Sequence, residues 1–314
     1  MTPPFQQRQS SLLHTDECNE VSSSPVFICR FVRKDRTGLS AATRRGILEN
    51  MRIGVAGCGA MGRPMAERLI AAGYDVVGYD VRPKSEFGPF AEHMTDQVTD
   101  FRACDVVISV VRDARQTRDL LAAIGEPPGV LVISSTLSPR FIRQLRTELP
   151  DSTAMIDAPM SGAPHSARDG TLSFMIGGHD AWIDRLMPAF QAMGQTQHVL
   201  GDLGAGATAK VLNNFVAASC VAAVRTVLDQ AGPLGLDPAK LRHVMDTSSG
   251  GTWYGANLDR IDWAPETYDP ANTIGILEKD VTAYLDAVTG DGTPDGLTAA
   301  VLDRLRNLPS MPDA

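Results

Sequence analysis

One stretch constrains the fold of this chain more than any other. It is Met51-Arg-Ile-Gly-Val-Ala-Gly-Cys-Gly-Ala-Met-Gly62, continuing Arg63-Pro-Met-Ala-Glu-Arg-Leu-Ile70. An apolar strand runs into a glycine turn, and the turn opens a helix with apolar residues at helical spacing. Gly57, Gly59 and Gly62 give G-x-G-x-x-G at the junction. Gly57 permits the tight turn, Gly59 lets a pyrophosphate approach the backbone, and Gly62 lets helix and strand pack closely. Ala60 and Met61 complete the turn, where unpaired amides and the helix dipole face an anion. Pro64 suits the first helical turn, since it gives up only an amide without a helical partner. Beyond Gly73, Asp75-Val-Val-Gly-Tyr-Asp80 reads as a second strand ending in a carboxylate. Asp80 stands 21 positions after Gly59 (80 − 59), where an acid accepts hydrogen bonds from an adenosine ribose. The competing reading, a core βαβ unit whose glycines only turn the chain, leaves that acid unexplained.

The 314 residues are enough for two domains. A net charge of -8 without a long basic run argues against nucleic acid as a partner. The longest apolar candidate for a membrane span, Phe215 to Val224, stops at Arg225 and falls short of the roughly 20 residues required. The 5 cysteines are scattered and lack metal-site spacing, which suits a reduced, cytoplasmic protein and supports no metal. Cys58 reads as a small filler of the turn. Residues 1–50 mix serine, proline and charge without periodicity, and are expected to be disordered or to precede the true start at Met51.

Beyond Asp80, Arg82-Pro-Lys-Ser-Glu-Phe reads as a polar loop, with Arg82 solvated or else turned towards a 2′-phosphate. Asp105 to Val111, Val130 to Ser134, Met155 to Pro159, Ser173 to Gly177 and Gln197 to Leu200 read as further strands. Alternation with helices predicts an α/β fold with a parallel, doubly wound sheet over 51–205. From Gly206 the pattern changes: Ala207 to Gln230 is alanine-rich and apolar on most faces, predicting one long buried helix. It opens an all-helical domain over 206–314.

Lys210 and Asn214 lie four apart on that helix and share a face. Polar groups inside an apolar helix are costly unless they meet partners or substrate. A lysine beside a nicotinamide can exchange a proton with an alcohol or carbonyl oxygen, while a structural lysine paired with a carboxylate is the competing reading. Asn213, one step round the helix, fits either partner or packing. Asp157-Ala-Pro-Met-Ser161-Gly162 sets a hydroxyl and loop amides beyond a strand end, as a substrate carboxylate would need or as an ordinary turn would supply. His165 and His198 have no acid or nucleophile in register and read as surface or loop residues.

Taken together, several motifs carry a likeness. They are Gly57-x-Gly59-x-Met61-Gly62-x-Pro64-Met65-Ala66, Asp157-Ala-Pro-Met-Ser161-Gly162, Gly170-Thr171-Leu172, Gly206-x-x-x-Lys210-x-x-x-Asn214 and Lys279-Asp280. The set resembles the β-hydroxyacid dehydrogenase family, the 3-hydroxyisobutyrate dehydrogenases and tartronate semialdehyde reductases, from Met51 to about Leu297. The resemblance implies a Rossmann domain plus a helical domain with the active site between them. It makes Lys210 the catalytic acid/base and Asn214 its hydrogen-bonding partner, with Ser161 and Gly162 holding the substrate carboxylate. By the same likeness Thr136 lies near the nicotinamide ribose, Lys279 reaches cofactor or substrate across the cleft, and Trp253 stands on the pocket rim. The implied cofactor is NAD, with NADP possible. The implied partners are a small hydroxy acid and further copies of the same chain. An imine or larger-substrate reductase on this scaffold, or a non-catalytic dinucleotide-binding module, are the alternatives. The chain departs from the family at Val111-Arg112, where Leu-Pro is usual, at Ala163 and Ser166 in place of glycines, and at Thr226-Val-Leu228. The segment after Lys279-Asp280 is also short.

Overall fold

The computed structural model describes residues 51–309 and 311, so the expectation for residues 1–50 lies outside the described residues. The first half alternates strand and helix. β1 (Arg52–Ala56), α1 (Gly62–Ala71) and β2 (Asp75–Tyr79) form the opening βαβ unit. Next come β3 (Val106–Ser109), α2 (Ala114–Ile124), β4 (Val130–Ile133), α3 (Pro139–Glu148) and β5 (Ala154–Asp157). The helices begin where polar caps allow: Asp113 accepts from the Gln116 amide at 2.8 Å, and Ser138, followed by Pro139, accepts from the Arg140 amide at 3.2 Å.

β2, β1, β3, β4 and β5 lie side by side and all parallel. The sheet does not stay parallel, which corrects the expectation above. β6 (Met160–Ser161), the short α4 (Pro164–Asp169) and β7 (Leu172–Gly178) follow, and β7 runs antiparallel to both β5 and β6. The link from Ser161 to Leu172 is too short to carry the chain back along the sheet, so the next strand must reverse. α5 (Asp180–Met193) is long enough for a crossover, and β8 (Gly194–Gly201) accordingly pairs parallel to β7.

Helices cover both faces. Met65 and Leu69 of α1 and Phe190 of α5 close one core, and Leu120 and Ile124 of α2 with Ile142 of α3 close the other. The segment read as a polar loop after Arg82 is instead a run of 3-10 turns, Lys84–His93, interrupted at Gly88. Phe87 and Phe90 are buried there, which fixes the turns to the sheet edge.

α6 (Ala205–Ala231) is the axis of the second half. Its start is set on the sheet by two features. The Asp157 carboxylate, at the end of β5, accepts from the amides of Gly204 at 2.7 Å and Ala207 at 2.6 Å. At Gly206 a Cβ would lie 2.2 Å from the Met175 carbonyl oxygen, so only glycine allows the helix this close to β7. α7 (Pro238–Asp246), α8 (Trp253–Ala256), α9 (Thr273–Thr289) and α10 (Gly296–Arg306) complete the chain. A third core joins α6, α9 and α10 through Val221, Leu228, Val281, Leu285 and Leu305. Arg225 is buried in it without a carboxylate, and donates instead to the carbonyls of Ala264, Glu266 and Pro309.

Two expectations about α6 need correction. By length and composition it could cross a membrane; it packs here as a core helix on β7 and α9, with Lys210, Asn214 and Arg225 buried. Nor is it buried all round. Leu212, Val216, Ala223 and Val227 are exposed at intervals of four and seven residues along one stripe. An alanine-rich helix has no polar face from which periodicity could locate the solvent side.

Candidate active site

The glycine turn sits at the carboxyl ends of β1 and β3, where the strand order reverses and open α/β sheets bind ligands. Gly57 has φ 89°, and a Cβ there would lie 2.8 Å from the Val110 carbonyl oxygen. At Gly62 a Cβ would meet the Gly57 carbonyl oxygen at 2.1 Å. At Gly59 it would meet nothing within 4 Å. Among the described residues, the amides of Gly59, Ala60 and Met61 have no backbone partner. Open space with free amides at a helix start fits a pyrophosphate. Cys58 is buried, its thiol pushed up to about 12 chiefly by burial, so it fills space and is no nucleophile.

Asp80 lies one residue past β2, at the ribose end of this cleft. Arg82 is exposed in a loop, as read from sequence, but it is not unpaired. Its Nε donates to Asp80 Oδ1 at 2.9 Å and its Nη2 to Oδ2 at 3.3 Å, with the guanidinium 4.7 Å over the Phe87 ring. The carboxylate and the cation stand beside the glycine turn as one paired unit.

The second cluster lies where α6 meets α9. Lys210 is only 7% exposed, and among the described residues its ammonium makes no hydrogen bond. Burial lowers its pKa to about 8, against the attraction of the Asp280 carboxylate, with Lys279 lowering it a little further. One turn on, Asn214 donates to Asp280 Oδ2 at 2.6 Å and accepts from Asn213 at 3.1 Å. Lys279 forms an ion pair with Asp280 Oδ1 at 2.8 Å and donates to the Thr136 carbonyl at 2.9 Å. Two cations and one carboxylate leave the cluster net positive, suited to an anionic substrate. From sequence Asp280 has no assigned role; its position after Lys279 in a motif was the available signal.

The structure thus gathers Lys210, Asn214, Asp280, Lys279 and Thr136 into one site. Ser161 ends β6, and Gly162 has φ 127° with a would-be Cβ 2.8 Å from that of Ser166. After them, Ala163 with Pro164 and His165 at the start of α4 walls a cavity of about 200 Å³ whose far side is Arg260 to Trp263, Glu266 and Thr273. A cavity of about 250 Å³ against Met51 and Val130 lies at the opposite ends of the strands, away from the lysine. Trp253 stands outside the network: it is 56% exposed and opens α8, whose Gly255 faces Val224. Val224 is 14 residues, about 21 Å, along α6 from Lys210. His198 is exposed on β8. Among the described residues no group of three metal-ligating side chains is placed to hold a metal ion.

Residues 52–201 match the family described as the NAD binding domain of 6-phosphogluconate dehydrogenase. Residues 204–310 match the NAD-binding family of NADP-dependent 3-hydroxyisobutyrate dehydrogenase. Over 208 residues the chain is 34% identical to a 3-hydroxyisobutyrate dehydrogenase of Pseudomonas aeruginosa, covering 63% of this chain and 70% of that protein. The chain belongs to the β-hydroxyacid dehydrogenase family. It is 30% identical to a 2-hydroxy-3-oxopropionate reductase of Escherichia coli, covering 76% of this chain and 84% of the relative. A solved 3-hydroxyisobutyrate dehydrogenase from Mycobacterium tuberculosis, with L-serine, superposes with a TM-score of 0.67 at 27% identity, covering 82% and 93% of the two chains. This β-hydroxyacid dehydrogenase is therefore an oxidoreductase using NAD or NADP.

Proposed function

We propose that this dehydrogenase interconverts a small 3-hydroxy acid and its semialdehyde, with Lys210 as general acid/base. One observation carries the assignment: a buried lysine that makes no hydrogen bond among the described residues; burial lowers its pKa to about 8, so it can hold or release a proton near neutral pH. When bound, the dinucleotide supplies the hydride chemistry. Lys210 takes the hydroxyl proton in oxidation and returns it to the carbonyl oxygen in reduction. Asn214 and Asp280 orient the site beside it, and the hydroxyl of Ser161 and the backbone at Gly162 are set to receive the substrate carboxylate. Turnover of a panel of small 3-hydroxy acids by wild type and Lys210→Ala tests the reading. Turnover of none of them by wild type ends it.

The paired Arg82 and Asp80 bear on the choice of cofactor. Asp80 alone would accept both ribose hydroxyls of NAD and repel a 2′-phosphate. With Arg82 forked onto it that repulsion is partly neutralised, so the preference for NAD is expected to be modest. Asp80→Ser should shift kcat/KM towards NADP, and Arg82→Ala should sharpen the preference for NAD. A wild type that already prefers NADP would show that Arg82 sets the choice.

The exposed stripe Leu212, Val216, Ala223 and Val227 supports assembly of this chain with itself. Light scattering on wild type and Val216→Glu measures it, and a monomeric wild type would refute self-association. A cytoplasmic location belongs to the same reading, supported by Cys58, Cys104 and Cys220 being free thiols.

A further inference from the structure

Arg112 stands where the family usually has a proline, and the structure gives it a partner on the other side of the cleft. Its guanidinium donates to the Pro270 carbonyl, 158 positions away in the helical half. Both ends of this tie are firmly seated. On the Rossmann side the Arg112 amide donates to Gln116 at 2.9 Å, and the Val111 carbonyl just before it accepts from Ser135 at 2.5 Å. The same segment backs the glycine turn, since a Cβ on Gly57 would lie 2.8 Å from the Val110 carbonyl oxygen. On the helical side, Asp269 and Pro270 press on the first turn of α9 so closely that a Cβ on Gly275 would lie 2.4 Å from the Asp269 carbonyl oxygen. Asn272 then caps α9 through the Gly275 amide at 3.1 Å. Thr273, the next residue, lines the cavity opposite Ala163 and His165.

We infer that Arg112 is a positioning residue that latches the helical half onto the Rossmann half across the dinucleotide cleft, and that cofactor exchange requires this latch to open. Two other cross-cleft bonds, Lys279 to the Thr136 carbonyl and Ser138 to Asp286, lie further along α9. Among the described residues, the Arg112 bond is the one that starts from the segment backing the glycine turn. The arm spans the cleft to a neutral carbonyl, so its contribution is a hydrogen bond from a charged donor and not an ion pair. Proline at this position has no donor and could not make it.

The test measures dinucleotide release in the absence of any hydroxy acid. It therefore depends on the cofactor cleft and not on the proposed substrate chemistry, and the two readings can fail separately. Stopped-flow dissociation of NADH, or of NADPH if that binds tighter, is followed by nicotinamide fluorescence for wild type, Arg112→Ala and Arg112→Gln. Release from Arg112→Ala should be faster by roughly tenfold, the scale of one charge-assisted hydrogen bond. Arg112→Gln, which keeps a donor but is shorter, should fall between the two. The thermal midpoint of the cofactor-free protein should stay within about 2 °C, as for a surface change away from any core. The ratio of variant to wild-type rates should not change with salt, because the acceptor is neutral. An unchanged release rate would overturn the latch. So would a ratio that collapses towards one at high salt, since that marks a direct ionic contact with the cofactor phosphates.

Discussion

Lys210→Ala is expected to lower kcat by about 10²–10⁴-fold, the usual contribution of a positioned general acid or base. NAD(H) affinity should stay within roughly threefold of wild type, because the lysine lies on α6 while the pyrophosphate site lies on the β1–α1 turn. A loss under about tenfold would remove the lysine from the chemistry. The pH dependence gives the sign. Oxidation needs the neutral amine, so kcat/KM should rise with pH and level off above about 8. Reduction needs the ammonium, so it should be full below about 8 and fall as pH rises through it. Opposite limbs with a shared midpoint are the signature of one group serving both directions. Two limbs of the same slope would point to some other titration.

The second large effect is expected at Asp280. This carboxylate is 3% exposed, accepts from Asn214, and pairs with Lys279 while attracting the Lys210 ammonium. Asp280→Asn keeps the shape and removes the charge. Lys279 then loses its counter-ion in a mostly buried place, at a cost of about 3 kcal/mol. This is the low end for breaking a buried pair, since Lys279 keeps its bond to the Thr136 carbonyl and part of its side chain in solvent. Lys210 loses the one influence that raises its pKa, so the midpoint of the oxidation profile should move below 8. Denaturant unfolding and the pH profile read these independently. A variant as stable as wild type with the midpoint unmoved would make Asp280 a bystander.

How far the sequence reaches depends on the range of the interaction. The β1–α1–β2 unit was legible because its signals are local: three glycines at fixed offsets, flanking apolar runs and a terminal acid. Lys210 and Asn214 were legible as a pair because helical spacing alone puts them on one face. The reversal of β7 was not, because an antiparallel strand has the same apolar composition as its parallel neighbours. Connection length alone carried that information. Asp280 was quoted within a motif, yet its work depends on Asn214, 66 positions away, and no periodicity reports such a contact. Arg82 is solvated as read, yet its pairing was not legible: a free exposed arginine and one curled back onto a carboxylate two residues earlier look the same in a polar loop. Trp253 entered by resemblance only, and in this chain it stands apart from the lysine.

The seating of α6 on the sheet separates what this enzyme can change from what it must keep. Asp157 and Gly206 tie the lysine-bearing helix to β5 and β7 with two hydrogen bonds from backbone amides and a contact that excludes even a methyl group. The Lys210 amine is thereby referenced to the sheet that also carries the glycine turn. Arg260 to Trp263, Glu266 and Thr273 form the opposite wall of the cavity, away from the Asp157 and Gly206 contacts. If Lys210 is the acid/base proposed above, substitutions there would reshape the cavity while its amine keeps its place, so substrate range could drift through one wall without the proton-transfer geometry being rebuilt. Bulk at position 206 would do the reverse, tilting the lysine away from every substrate alike.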